Sequence, residues 1–318
     1  MLAAGAATLG MHLVAQAQPA IIFELGGKND KSFGTAAWEG AERWKRASGK
    51  PYLEFEISGA AQREQAARRF AQRGANPIVG VGFPQASSIE AVAREFPNIG
   101  FAIVDSVVAL PNVQSFVYRE HEGAFLAGQL AALASRTGKL GFVGGQDIPL
   151  VRKVLCGYEQ GAKYANPKVQ VISAMTGTTN AAWTDPARGA ELTRTQAAQG
   201  ADVIFAAAGT TGLGVLQAAA DLGLLGIGVD SNQNGLHPGR MLTSMLKRTD
   251  VAVFQAFSGV RPGITSLGLK EGGLDLAYDD HNARLVTPEM RRRVDAAKAD
   301  IVAGRLVVVD WTVAKACR

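Results

Sequence analysis

The stretch "LGFVGG", residues 140–145, is an apolar run closed by two glycines, and a helical pattern follows it. The chain begins the same way: "AIIFEL" (20–25) runs into Gly26-Gly27 and a helix-like segment. Between these two starts lie four more strand-like runs, "YLEFEI" (52–57), "IVGVGF" (78–83), "IGFAIVD" (99–105) and "SFVY" (115–118). A helical stretch around 120–136 follows, and after residue 140 the pattern restarts with "VQVISAM" (169–175), "DVIFAAAG" (202–209), "GIGVDS" (226–231) and "MLTSML" (241–246). Amphipathic segments such as "QREQAARRFAQRG" (62–74) and "ARGAELTRTQAAQG" (187–200) separate the runs. Near-continuous apolar strands alternating with helices imply parallel sheets covered on both faces. One such series makes one doubly wound domain, and two in tandem make two similar α/β lobes.

The tail is less regular. "SLGLKEGGLDLAYDDHNARLV" (266–286) has strand character broken by turns. "TPEMRRRVDAAKADIVAG" (287–304) is a helix, with Thr287 as cap, Pro288 at its first position and Gly304 at its end. Extra sheet edge plus a last helix require the chain to cross between lobes more than once. The expected division is residues 18–120 with 248–285 in one lobe and 121–247 with 286–318 in the other, joined by a multi-strand hinge.

Composition narrows the function. In 318 residues, 47% are apolar and 19% charged, enough for real cores without a disordered tract. The net charge of +5 is mild, and its densest clusters, Arg68-Arg69 and Arg291–Arg293, sit in helical patterns as solvated faces. No nucleic-acid partner is expected. The first residues, "MLAAGAATLGMHLVAQAQPA", carry no Asp, Glu, Lys or Arg and end an apolar stretch in Ala15-Gln16-Ala17, which resembles a signal-peptide cleavage site. Cleavage after Ala17 and a periplasmic protein are expected, without a lipid anchor because no cysteine follows the apolar stretch. Neither cysteine has metal-ligand spacing. Cys156 reads as a small buried thiol, while an oxidising compartment permits a bridge to Cys317. The four histidines are scattered, and H-E-x-x-H and G-x-S-x-G patterns are absent. Neither a metal, a cofactor nor a catalytic residue is expected.

In doubly wound sheets ligands sit beyond the carboxyl ends of the strands. The residues there are Gly26, Gly27, Asp30, Ser32 and Phe33, then Asp105, Asp147, Gly209 to Gly212, Asp230 and Lys247. A phosphate loop wants backbone N–H groups and a lysine with no carboxylate nearby, and Asp30 would repel a phosphate. Asp30 or Ser32 can instead cap the helix that follows. Phe33 at its first turn suits a flat ligand, and carboxylates accept from hydroxyls and amines. Each residue also has a structural reading. Asp30 can be only a cap, Asp105 and Asp230 can be turn formers, and Phe33 and Trp183 can be core. Their joint placement at strand ends favours a binding cleft.

The segments "DKSFGTAAWEG", "GGQDIPLVRKVLCGYEQGAK", "WTDPARGAEL", "GADVIFAAAGTTGLGVLQAA", "IGVDSNQ", "LTSMLKRTDVAVF" and "LGLKEGGLDLA" occur in order along the chain. Together they resemble the basic membrane protein family, substrate-binding proteins of ABC importers that include bacterial purine nucleoside receptors. The resemblance implies a type I periplasmic binding fold closing on a ligand, with an ABC permease as partner and a monomer as the working unit. It implies that Phe33 and Trp183 sandwich a base and that Asp105 is a ligand contact. It also implies that Asp230 and Lys247 hold the ribose and that Gly209 lies at the turn beside it. Two positions depart from the family pattern, Gly34 where asparagine is usual and Thr210 where glycine is usual, and both flank the expected ligand. The rival readings are another flat heterocycle such as riboflavin or a free base, a secreted nucleoside-processing enzyme, and a cytosolic sensor core. The enzyme lacks a nucleotide fingerprint or an aspartate cluster for an activated water. The sensor lacks a DNA-binding head.

Overall fold

The computed structural model describes residues 17–317; the expected leader lies outside the described residues except for Ala17. The chain runs β1 (Ala20–Phe23), α1 (Phe33–Ser48), β2 (Leu53–Glu56), α2 (Gln62–Gln72), β3 (Ile78–Val81), α3 (Ala86–Glu95), β4 (Phe101–Val104), β5 (Val113–Tyr118) and α4 (Glu120–Ala134). A second series follows: β6 (Lys139–Gln146), α5 (Pro149–Ala165), β7 (Gln170–Gly177), α6 (Pro186–Ala198), β8 (Val203–Ala207), α7 (Thr211–Asp221), β9 (Leu225–Asp230), β10 (Met241–Lys247) and α8 (Thr249–Ser258). The chain ends with β11 (Gly263–Leu267), β12 (Leu274–Leu276), α9 (Pro288–Val302) and α10 (Trp311–Ala314).

Two six-stranded sheets result, with orders β2-β1-β3-β4-β5-β11 and β7-β6-β8-β9-β10-β12. Every neighbour pairing is parallel except that of β12 with β10. The two orders are the same order, so β1 corresponds to β6, β4 to β9 and β5 to β10. The apolar runs explain the layering. Ala20 and Ile22 face the core against α2 and α3, whereas Ile21 and Phe23 face the core containing α1 and α8. Each such strand is buried on both faces, and each fully buried large apolar side chain contributes about 1.5–3 kcal/mol.

The chain passes between lobes three times, at Arg119 after β5, at Arg248 after β10, and through 268–273 between β11 and β12. The crossings are tied to one another. Arg119 N donates to Leu267 O at 2.9 Å, Arg248 N to Gly273 O at 2.9 Å, and Tyr118 Oη to Arg248 O at 3.1 Å. Each crossing helix packs closely on the first helix of its new lobe: α8 meets α1 where Gly40 lies on the Asp250 backbone, and α4 meets α5 where Gly157 lies on the His121 backbone. A Cβ at either glycine would collide with that backbone.

Two expectations are corrected. The return to the second lobe comes before residue 285, because Leu274–Leu276 hydrogen-bonds to β10 and completes the second sheet. Cys156 is not a free thiol but is bonded to Cys317, with Cα atoms 5.4 Å apart. That bond joins α5 to the tail, which Gln160 also holds through Val309 N and O at 2.8 and 3.0 Å.

Candidate functional site

The carboxyl ends of both sheets converge on one cleft. An outer chamber of ≈ 660 Å³ and an inner one of ≈ 460 Å³ share Phe33, Asp105, Leu150, Trp183, Gly209 and Asp230 as walls. Asp30 lines the outer chamber and Lys247 the inner one, so these two join Phe33, Asp105, Trp183, Gly209 and Asp230 around one cleft, whereas Asp147 pairs with Arg152 and lines neither chamber.

Asp30 is a capping residue. Its Oδ1 accepts from Ser32 N at 2.8 Å and Thr35 N at 3.0 Å, and its Oδ2 from Gly34 N at 2.8 Å. Burial raises its pKa, opposed by these backbone donors. Ser32 makes no capping bond. Gly34 cannot be replaced freely, because a Cβ there would run into Gly27 O where the Gly26-Gly27 turn folds onto α1. The departure from asparagine is thus a requirement of this turn. Thr210, the second departure, lines the outer chamber with an Oγ1 that has no hydrogen-bond partner.

Asp105 and Asp230 occupy equivalent places, immediately after β4 and at the end of β9, in the repeated sequence Val-Asp-Ser (104–106 and 229–231). Both adopt the left-handed region, with φ of 68° and 66°. Non-glycine residues there cost free energy and cluster at functional sites. Asp105 Oδ2 accepts from Lys247 Nζ at 2.6 Å, while its Oδ1 is buried without a partner. Burial pushes Asp105 up; Lys247 opposes this and Glu120 adds to it. Burial likewise raises Asp230 to about 6, against the pull of Lys247 and a 2.6 Å hydrogen bond from Ser32 Oγ.

Lys247 Nζ is enclosed. It lies 2.6 Å from Asp105, 3.1 Å from Glu120 Oε1, and 5.2 and 4.9 Å from the ring centres of Phe33 and Tyr118. Burial alone would lower its pKa, but Asp105, Glu120 and Asp230 outweigh it and hold the ammonium firmly protonated. Sequence reasoning missed Glu120 and its second partner Lys153, 2.5 Å away. Burial would raise Glu120, yet Lys247 and Lys153 hold it below the ordinary glutamate range. The internal repeat carried the signal: "SFVYRE" (115–120) aligns with "SMLKRT" (244–249), so Glu120 stands at the first lobe crossing where Thr249 stands at the second, and Tyr118 where Lys247 does.

Trp183 ends a short helical turn after β7, and its indole lies over Gly145, where a Cβ would collide with it, and beside Gly209. Phe33 approaches from the opposite lobe. The lobes also touch directly: Ser231 Oγ donates to Ser32 O at 2.6 Å and Gln233 Nε2 to Lys31 O at 2.9 Å, beside the Ser32–Asp230 bond. The arrangement is a closed cleft that can hold a flat, uncharged molecule between aromatic rings and bind its polar end with carboxylates and a lysine. Among the described residues, no group of three His, Cys, Asp or Glu is placed to hold a metal.

Two doubly wound lobes, three crossings and an enclosed polar-ended cleft define a type I periplasmic binding protein. Residues 18–297 match the family described as ABC transporter substrate-binding protein, PnrA-like, and the chain belongs to that family. A Lactococcus lactis relative, named ABC transporter nucleoside-binding protein BmpA, is 30% identical over 317 residues, covering 91% of this chain and 88% of its own. An ABC transporter solute-binding protein from Aeropyrum pernix superimposes with a TM-score of 0.83 at 28% identity, covering 92% and 93% of the two chains. One from Conexibacter woesei does so with a TM-score of 0.75 at 26% identity, covering 93% and 99%. The chain is therefore a substrate-binding protein of an ABC importer, not an enzyme; it takes a small-molecule ligand and works with a permease outside the cytoplasm.

Proposed function

We propose that the chain captures a purine nucleoside and hands it to an ABC permease. The observation that carries this reading is a cleft whose two chambers share Phe33 and Trp183 with Asp105 and Asp230 as walls, with Lys247 added in the inner one. A base stacked on an aromatic ring gains about 1–3 kcal/mol whatever its identity. The ribose hydroxyls then meet acceptors, among them the unpartnered Asp105 Oδ1. Three carboxylates around one lysine disfavour a phosphate, so nucleosides bind in preference to nucleotides. The name of the Lactococcus relative supports the same class of ligand. In this reading Phe33, Trp183, Asp105, Gly209, Asp230 and Lys247 contact the ligand and Asp30 shapes the loop that carries Phe33. The protein works as a periplasmic monomer whose residues 1–17 are a leader removed before Gln18.

Mass spectrometry of ligand released by denaturing the purified protein, followed by calorimetry with nucleosides and their 5′-monophosphates, tests the proposal. A purine nucleoside bound more tightly than its monophosphate is expected. Failure of every nucleoside to bind, or tighter binding of the monophosphate, overturns it.

A further inference from the structure

We propose that Ser231 and Gln233 form a latch that holds the two lobes closed without help from the ligand, so that they set how fast a ligand enters and leaves rather than which ligand binds. The latch goes beyond the nucleoside reading and does not depend on it. Both residues follow β9 in the second lobe, and both reach the loop that precedes α1 in the first. Ser231 Oγ donates to Ser32 O at 2.6 Å, and Gln233 Nε2 donates to Lys31 O at 2.9 Å. Two successive carbonyls of one lobe thus meet two side-chain donors of the other.

Each side of the latch is fastened by its own lobe. Gln233 Oε1 accepts from Val229 N at 2.9 Å, and Gln233 N donates to Ser244 Oγ at 2.9 Å. Val229 N–H needs an acceptor and Lys31 O a donor, which fixes the orientation of the carboxamide. The side chain lies against Gly228, where a Cβ would fall 2.5 Å from Oε1. On the facing lobe Lys31 adopts a left-handed backbone, with φ of 59°, a conformation that persists in a non-glycine residue when its surroundings hold it. Lys31 N donates to Thr35 Oγ1 at 2.9 Å, and Asp30 binds the N–H groups of Ser32, Gly34 and Thr35. Ser32 O also accepts from Ala36 N at 3.0 Å. The turn therefore presents both carbonyls to the second lobe in a fixed geometry.

Lys31, Ser32, Ser231 and Gln233 line neither chamber of the cleft. Ser32 and Gln233 are 0% and 3% exposed, so the bonds lie out of reach of water. Closing exchanges the hydration of these groups for bonds between lobes, and that gain is the same whether the cleft is filled or not. A contribution equal in both states adds nothing to the preference of the ligand for the closed form. The ligand passes in and out through the open form. Where the closed form already dominates, the latch slows association and dissociation by the same factor, whereas a residue that touches the ligand changes dissociation and affinity together.

Small-angle scattering on the purified protein, emptied of any bound molecule by unfolding and refolding, tests the latch without a ligand. The wild type should show the radius of gyration of the closed lobes, and Ser231→Ala/Gln233→Glu a larger one. The glutamate keeps an acceptor for Val229 N and turns its second oxygen on Lys31 O. Ser231→Ala alone, which removes one hydroxyl, should fall between the two. Stopped-flow tryptophan fluorescence with guanosine supplies the second arm. In the double variant both rate constants should rise about tenfold, as expected for two lost hydrogen bonds, with Kd changed less than threefold. An open wild type, or variants as compact as the wild type, overturns the inference. Faster dissociation with unchanged association also overturns it, because the pair would then act on the ligand and not on closure. Failure of guanosine to bind refutes the nucleoside reading alone, and the scattering comparison still decides the latch.

Discussion

Protonating Asp230 should release the ligand, and the structure sets the pH at which this happens. Burial lifts its carboxyl from 3.8 to about 6. At roughly 1.4 kcal/mol per pKa unit, holding it ionised in the closed cleft costs about 3 kcal/mol. The sign follows from proton counting. The folded chain takes up this proton near 6 and the unfolded chain near 3.8, so the folded state binds more protons between those values. Asp230 therefore destabilises the ligand-free closed form fully at pH 7, and that penalty is relieved as the pH falls from about 6 toward 4. A ligand hydroxyl that donates to the ionised carboxylate works the other way and lowers its pKa on binding. Affinity should be flat above pH 7 and fall about tenfold by pH 5, with proton release on binding near pH 6. Calorimetry from pH 5 to 8 in buffers of different ionisation enthalpy measures both quantities. Asp230→Asn should bind weakly at every pH and lose the slope. A wild-type affinity constant from pH 5 to 8, or a slope retained in Asp230→Asn, refutes the assignment of the ribose end to Asp230.

Trp183→Ala should weaken nucleoside binding by about 1–3 kcal/mol through lost stacking, measured by calorimetry; an unchanged affinity would place the base elsewhere. Glu120→Ala strands Lys247 and Lys153, which it meets at 3.1 and 2.5 Å, and breaking a buried pair costs about 3–5 kcal/mol. A fall in melting temperature of roughly 10 °C is expected, and a change of a degree or two would mean the cluster is not under strain when opened. Replacing both Cys156 and Cys317 by serine should lower stability by about 2–4 kcal/mol in denaturant unfolding, and reductant should affect the wild type but not the variant. Gly34→Ala should destabilise by about 1–3 kcal/mol, because its Cβ collides with Gly27 O; thermal unfolding at or above the wild-type temperature would show that the turn moves freely.

The two lobes were legible because buried parallel strands are written as continuous apolar runs, and "IVGV" (78–81) and "VIFAA" (203–207) each alternate with amphipathic helical segments. The strand-end residues were legible for the same reason, since a carboxylate after such a run stands at the mouth of the sheet. What escaped was set by contacts distant in sequence. β12 is three residues long, and only its pairing with β10 assigns it to the second sheet. Cys156 and Cys317 are 161 residues apart, and no local pattern brings them together. Asp30 could be assigned either as cap or as ligand group until its three backbone donors were seen. Glu120 begins a helix, where an acidic residue is ordinary, so its place beside Lys247 was hidden by a sufficient local explanation.

The repeat accounts for how one cleft came to be both rigid and selective. At the two crossings, β5 and β10 end in Tyr118-Arg119-Glu120 and Lys247-Arg248-Thr249. The middle residue is arginine in both, and in both it braces the first turn of the helix it precedes: Arg119 to Glu122 at 2.6 Å and Arg248 to Asp250 at 2.8 Å. Their backbone N–H groups bind the two ends of the third crossing, at Leu267 and Gly273. The shared position thus serves the hinge, while the flanking positions differ between the lobes. Tyr118 gives Lys247 an aromatic wall 4.9 Å from its charge, and Glu120 gives it a second carboxylate, where a symmetric protein would have opposed like groups. The same holds one strand away: Asp105 and Asp230 are equivalent in backbone, yet Asp105 is tied to Lys247 and Asp230 to Ser32 of the facing lobe. Lys247 and Ser32 each belong to the lobe facing the aspartate they hold, so both aspartates bear on closure, and a ligand that binds both joins the two lobes through groups the hinge already holds in register.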